Sequence, residues 1–304
     1  MISFRYHIVT IVAVFLALAL GLLGGSTFVQ PALQRELERR TDSYREQLSE
    51  LRTQIADLST RSDGMAGFAD SALPYLTNDR LLGARAVVVA HDGVEGSVVD
   101  ETQRSLADAG ADVVATITAQ PSIASIDPDD QAQLAEIVGL APGTEVGVDD
   151  VADALAERLS APRVSPSDAE GDVLANLLSA GYLTASDGTP LEDVGGPAQV
   201  IVVLGGGPLE QPTLDPAGFG PALVGSLADR GLDVAAGESS ITPTDVSFVE
   251  AVRDTVGDNV VTVDDLDLSM GGAALVLGID QLRRTNVGGS YGLDDGAEPL
   301  PSLP

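Results

Sequence analysis

The sequence predicts an α/β protein in which an N-terminal transmembrane helix and a coiled-coil stalk precede a doubly wound, mainly parallel sheet domain. Three observations carry that prediction. The stretch Tyr6 to Gln34 holds no formal charge, the stretch after it repeats apolar residues in heptads, and from Ala84 onward short β-branched runs alternate with segments of helical period.

Within the charge-free stretch, Ile8 to Phe28 is continuously rich in apolar residues and as a helix covers roughly 31 Å, a match to a hydrocarbon layer of about 30 Å. The same run would serve a secretory signal, and Gly24-Gly25-Ser26 supplies small residues of the kind found at cleavage sites. The heptads argue for a retained anchor. Leu37, Tyr44, Leu51 and Leu58 occupy d while Thr41, Leu48 and Ile55 occupy a, so the anchor is expected to pass into a parallel coiled-coil dimer or higher oligomer. A lone amphipathic helix packed on the following domain is the competing reading. Gly21, Gly24 and Gly25 lie on neighbouring faces of the span at i, i+3 and i+4, and pairing of two anchors through Gly21 and Gly25 is expected because small residues let helices approach closely in lipid. Orientation is ambiguous from basic residues alone, since Arg5 precedes the span and Arg35, Arg39, Arg40 and Arg45 follow it.

The parts expected are residues 1–29 as anchor, 30–62 as stalk, 63–287 as an α/β domain and 288–304 as an irregular acidic tail. The domain opens with a βαβ unit: strand Ala84 to Ala90, helix Ser97 to Ala109, and strand Ala111 to Ala119. Helices follow at Asp129 to Val138, Val151 to Leu159 and Gly171 to Ala180. The buried-type strand Ala198 to Gly207 is next, then helix Pro221 to Arg230, strand Leu232 to Ala236, helix Asp245 to Val256, strand Asn259 to Val263 and helix Met270 to Arg284. Strands joined through helices imply parallel pairing.

Composition limits the chemistry. Sixteen basic residues, all arginine, face 46 acidic ones, for a formal charge of −30, which disfavours nucleic acid as a partner. There is no cysteine, so disulfides, thiolate metal sites and cysteine nucleophiles are excluded. In a doubly wound sheet, function sits at the carboxyl ends of the strands. Those positions hold His91-Asp92, Gly205-Gly206-Gly207 and Glu238-Ser239-Ser240. The glycine run would need a further glycine at Glu210 to complete a dinucleotide fingerprint, and reads as a tight turn. Gly288 to Gly292 spells a nucleophile elbow but follows no predicted strand, and both histidines precede it. His91 is expected at the surface or capping a loop; a Ser-His-acid site with Ser239 or Ser240 is the lesser reading. The acidic runs Asp127 to Asp130 and Asp264 to Asp267 lack the glycine and closing glutamate of a calcium loop and are expected as solvated faces or helix N-caps. No cofactor and no enzymatic activity are expected.

The opening MISFRYHIVTIVAVFLALALGLLGGSTF and the ending GGSYGLDDGAEPLPSLP resemble the actinobacterial MctB family of copper-transport outer-membrane proteins. The resemblance implies a cytoplasmic N-terminus, one membrane crossing, a domain in the cell envelope, and a role in copper homeostasis or transport as an oligomer. Copper(I) favours thiolate, thioether and imidazole ligands, and this chain offers only Met1, Met65, Met270, His7 and His91. His91 is therefore a weak candidate ligand, best placed at an oligomer axis. Proteins of the SteB type are similar to this family and imply the other reading: a non-enzymatic scaffold recruiting or activating an envelope or division partner such as a cell-separation hydrolase.

Overall fold

Residues Phe4–Ala72 form one unbroken α-helix, α1. The structure, a computed structural model, describes residues 4–124, 128–163, 171–186, 193–196, 199–207, 214–240, 247–294 and 296–302, with the backbone alone described at 4–5, 25–36 and 128–129. The chain divides into two compact units, Met1–Ala66 and Gly67–Pro304.

In the first unit the apolar run does feed directly into the charged stretch, and the glycines at 24 and 25 do not interrupt the helix. Hydroxyls that would compete with helical hydrogen bonding are absorbed locally: Thr10, Thr41, Thr53 and Thr60 each donate to the carbonyl one turn back. Tyr6–Gly24 has a mean hydropathy of 2.5 and is long and apolar enough to cross a membrane. Its large side chains are exposed within the single chain, as are the heptad residues, from 52% at Leu48 and Leu51 to 64% at Ile55.

The second unit begins with the last turn of α1 and the short helix α2 (Pro74–Thr77), then builds a seven-stranded, mostly parallel sheet. In chain order the further elements are β1 (Arg85–His91), α3 (Gly96–Asp108), β2 (Asp112–Ala119), α4 (Pro128–Ile137), α5 (Val148–Ser160), α6 (Val173–Ser179), β3 (Leu183–Ala185), β4 (Gln199–Leu204), α7 (Phe219–Asp229), β5 (Asp233–Gly237), α8 (Phe248–Val256), β6 (Val261–Val263), α9 (Ser269–Thr285) and β7 (Gly289–Tyr291). Strand order is β3-β2-β1-β4-β5-β6-β7, with only the β2–β3 pairing antiparallel. The chain reverses its direction of travel across the sheet between β1 and β4, at the centre.

Central strands β1 and β4 are buried on both faces, which is why they read as unbroken Val/Ala/Ile/Leu runs rather than alternating ones. Alternate residues feed two separate cores. Val87, Val89, Ile201, Val203 and Val234 pack with Leu155 of α5, Leu223 of α7 and Phe248 of α8. Their neighbours Ala86, Val88, Val200, Val202 and Ala235 pack with Leu106 of α3 and Leu275 and Ile279 of α9. Helices therefore cover both faces.

Two three-residue strands were not expected from the sequence. β3 pairs antiparallel with β2, and β7, placed by the sequence in an irregular tail, pairs parallel with β6 and buries Tyr291 at 3% exposure. Leu-Thr-Ala and Gly-Ser-Tyr, unlike the Val-Thr-Val of β6, carry no β-branched run that reads as a strand; an open edge of the sheet recruits them. Leu300 also packs against the second core, so β7 and Leu300 are built into the domain rather than an irregular tail.

Charge is divided as sharply as structure. The first unit holds seven arginines and seven acids, so the remaining nine arginines and 39 acids place the entire −30 on Gly67–Pro304. Each of those nine arginines pairs with a carboxylate: Arg80, Arg85, Arg104, Arg158, Arg163, Arg230, Arg253, Arg283 and Arg284.

Candidate functional site

The parallel strands deliver their carboxyl ends to one edge, and the polar residues expected there are present. β1 ends on His91, β4 runs into Gly205-Gly206-Gly207, β5 into Glu238, and β6 into Asp264-Asp265.

His91 is not a surface residue. It is 2% exposed, its ring lies 5.3 Å from Phe248 in an edge contact and 6.3 Å from Phe219, and its Nε2 has no hydrogen-bond partner among the described residues. A Cβ on Gly220 would lie 2.5 Å from that nitrogen, so the first turn of α7 presses directly on the imidazole. Burial drives the His91 pKa down to about 4, with the Asp215 carboxylate opposing, so the ring is neutral at physiological pH. Loop-capping did not foretell this; the signal available was position, since a residue continuing a fully buried strand inherits the strand's burial.

The crevice outside β1 and β4, where an open sheet of this kind binds ligands, is filled by the chain itself. A Cβ at Gly205 would overlap the Phe248 ring, and one at Gly207 would lie 2.6 Å from the Gly93 carbonyl. These glycines serve close packing rather than phosphate. Glu210, the position decisive for the dinucleotide pattern, lies outside the described residues, as does Asp127 of the first acidic run.

Glu238 is 2% exposed and acts as an anchor for α8, accepting from the Phe248 amide at 3.0 Å and from the Ser247 hydroxyl. Burial raises its pKa despite those bonds. Ser240 does not meet His91: its amide and hydroxyl both donate to Asp267, at 2.6 and 2.7 Å. Ser290, in the elbow-like spelling, sits on β7 and accepts from Thr262 at 3.1 Å. The acidic run after β6 is likewise not a solvated face. Asp264 is 3% exposed and accepts from Arg253 at 3.2 Å and from the Leu293 amide at 2.7 Å; Asp265 is 1% exposed, and apart from its own amide neither of its oxygens has a partner among the described residues.

Gly21 stands exposed with nothing within 4 Å of an added Cβ, and the surroundings of Gly25 lie outside what is described. Leu37, Tyr44, Leu48, Leu51, Ile55 and Leu58 are all exposed on one continuous helix.

A family model described as "Copper transport outer membrane protein, MctB" matches residues 1–301, from before the apolar helix to beyond β7. The chain belongs to the MctB family. It is 26% identical over 315 residues to proteins named "Copper transporter MctB" from Mycobacterium tuberculosis and Mycobacterium bovis, covering 98% of each chain. The Mycobacterium leprae protein of the same name is 25% identical over 317 residues, with 99% of each chain covered. For a member of this family the described ligand set is sparse. No group of three or more His, Cys, Asp or Glu side chains among the described residues is placed to hold a metal ion. His91 itself is sealed behind two phenylalanines.

Because the folded state prefers neutral His91, its contribution to stability is complete above the unfolded value near 6.5 and is lost as pH falls towards 4. Between pH 7 and pH 4.5 the wild-type protein is expected to lose about 2–3 kcal/mol more than His91→Leu, read from urea unfolding of the two proteins side by side. Equal losses would mean the ring is charged, or accessible, in the folded protein.

Proposed function

We propose that this protein is a membrane-anchored envelope protein that serves copper handling as an oligomer, crossing the membrane once with its N-terminus in the cytoplasm and its α/β domain on the far side. The observation that carries the reading is the extent of the family match, which runs through the anchor, the charged helix and the whole sheet domain. Residues 30–62 act as a parallel coiled-coil stalk about 50 Å long, with Leu48 and Ile55 at a and Leu51 and Leu58 at d, and the two anchors meet through Gly21 and Gly25. The sheet is read as doubly wound, with its central crevice closed by Phe248 and His91, and the domain as non-enzymatic. Copper is then cargo. With no cysteine, and one buried histidine in the second unit, a tight copper(I) site within a single chain is not expected; His91 contributes to one only if assembly uncovers it.

A second reading, a scaffold that positions an envelope or division partner, is favoured by the exposure of the whole heptad face beside a domain without a metal cluster among its described residues. One experiment separates the two. A deletion strain is expected to become copper-sensitive and to be rescued by the full chain, while titration of the purified full-length protein against a copper(I) chelator is expected to show only weak binding. Unchanged copper tolerance together with a cell-separation defect would replace the first reading with the second. A stoichiometric, tight site abolished by His91→Ala would overturn the ligand-count argument.

A further inference from the structure

Asp265 is a buried carboxylate that its surroundings leave unserved. It is 1% exposed and, its own backbone amide aside, neither oxygen has a hydrogen-bond partner among the described residues, whereas buried carboxylates are ordinarily satisfied. The groups facing it are of one sign. Its own loop contributes Asp264 and Asp267, and the C-terminal segment contributes Asp294; Glu238, at the end of β5, meets this loop through its backbone carbonyl, which accepts from the Leu266 amide at 3.0 Å. From α8, Arg253 is committed to Asp264 at 3.2 Å and to Thr262 at 2.9 Å; from α3, Ser105 abuts Gly272, and Arg104 is paired with Glu101.

The first turn of α9 rests on this group. The Asp265 carbonyl accepts from the Leu268 amide at 2.9 Å, and a Cβ on Gly271 would lie 2.7 Å from Asp265 Oδ1, so only glycine lets the turn seat. The same turn reaches the other way: Ser269 donates to Asp70, in the last turn of α1. Asp70 and Ser269 line one groove with Leu73, Ser105, Gly272 and Val276.

We propose that Asp265 is a proton-operated latch: protonated, it seats the first turn of α9 and, through Ser269 and Asp70, holds the last turn of α1; ionised, it loosens both. The neutral acid removes repulsion from the surrounding carboxylates and gains a hydroxyl donor, while the ionised form leaves two buried oxygens unpaired. Burial first, then Asp264 and Asp267, carry the pKa up to about 6. Because the folded value lies above the ordinary 3.8, the stabilising contribution is full below 3.8 and is lost as pH rises through 6. His91 has the opposite slope over an overlapping range, so whole-molecule unfolding masks the latch and a local readout is needed.

Hydrogen exchange of the full-length protein in detergent micelles, corrected for the intrinsic pH dependence, provides it. From pH 5 to pH 7.5 the opening of residues 269–272 is expected to increase about tenfold in the wild type and to stay constant in Asp265→Asn, with α7 as the internal control. Asp294→Asn moves the midpoint to lower pH, and Ser269→Ala abolishes the response of residues 67–72 while leaving that of 269–272. Protection unchanged with pH in the wild type, the same pH dependence in Asp265→Asn, or an unmoved midpoint in Asp294→Asn would each overturn the latch; a pH response at 67–72 that survives Ser269→Ala would overturn its extension to α1.

Discussion

Replacing Leu51 by aspartate is expected to convert the full-length protein from the proposed dimer to a monomer, measured by sedimentation in detergent at micromolar concentration. Leu51 is the third of the four d positions and is 52% exposed in the single chain, and in the proposed stalk a partner helix would remove it from water. An aspartate there places two carboxylates against each other in the seam of a parallel pair, a cost that the remaining layers at Leu37, Tyr44, Leu48, Ile55 and Leu58 are not expected to offset. The seam also has an electrostatic signature. In the assigned register Arg40 falls at g and Arg45 at e, positions that face each other across a parallel dimer, so added salt is expected to strengthen association rather than weaken it. A wild-type protein already monomeric under these conditions removes the stalk from the proposed function and leaves α1 as a solitary helix.

Replacing Arg158 by leucine costs about 3–5 kcal/mol of the stability of the sheet domain. Its guanidinium, 7% exposed, donates to Asp172 at 2.7 Å and to the Val194 carbonyl at 3.0 Å; Asp172, 3% exposed, also caps α6 through the Leu174 amide. Removal of the arginine leaves a buried carboxylate with one remaining donor and an orphaned carbonyl. The double variant Arg158→Leu, Asp172→Asn is expected to recover at least half of the loss, because the amide keeps a cap acceptor without a charge to solvate. Urea unfolding followed by tyrosine fluorescence reports on it, since Tyr182 and Tyr291 are buried in the domain. A single variant within about 1 kcal/mol of wild type would show that the pair is solvated.

These residues also mark the boundary of what could be read beforehand. The run from Tyr6 to Gly24 and the central strands were legible because nearly every side chain along them is apolar, long enough in the first case to cross a membrane and buried on both faces in the second, and composition alone then reports the element. The heptads were legible as a pattern on one helix, but a pattern on an exposed face does not name what covers it. The absence of cysteine and lysine, and the charge of −30, narrowed the chemistry before any fold was known.

The fate of single polar residues was decided only in three dimensions. His91, Glu238 and Asp265 have the same local context as surface loop residues, a polar side chain just after an apolar strand, yet all three are buried because α7, α8 and α9 close over the strand ends. Whether a carboxylate becomes an anchor like Glu238 or stays underserved like Asp265 depends on which amides and hydroxyls later elements bring to it, from residues 247 and 248 in one case and from no later element described in the other. The pairing of Arg158 with Asp172 and the recruitment of β3 and β7 to open sheet edges have the same origin. A sequence states how much polar and apolar surface must be accommodated; which charge is paired, capped or stranded is settled by packing at ångström range, where burial sets the cost of every missing partner.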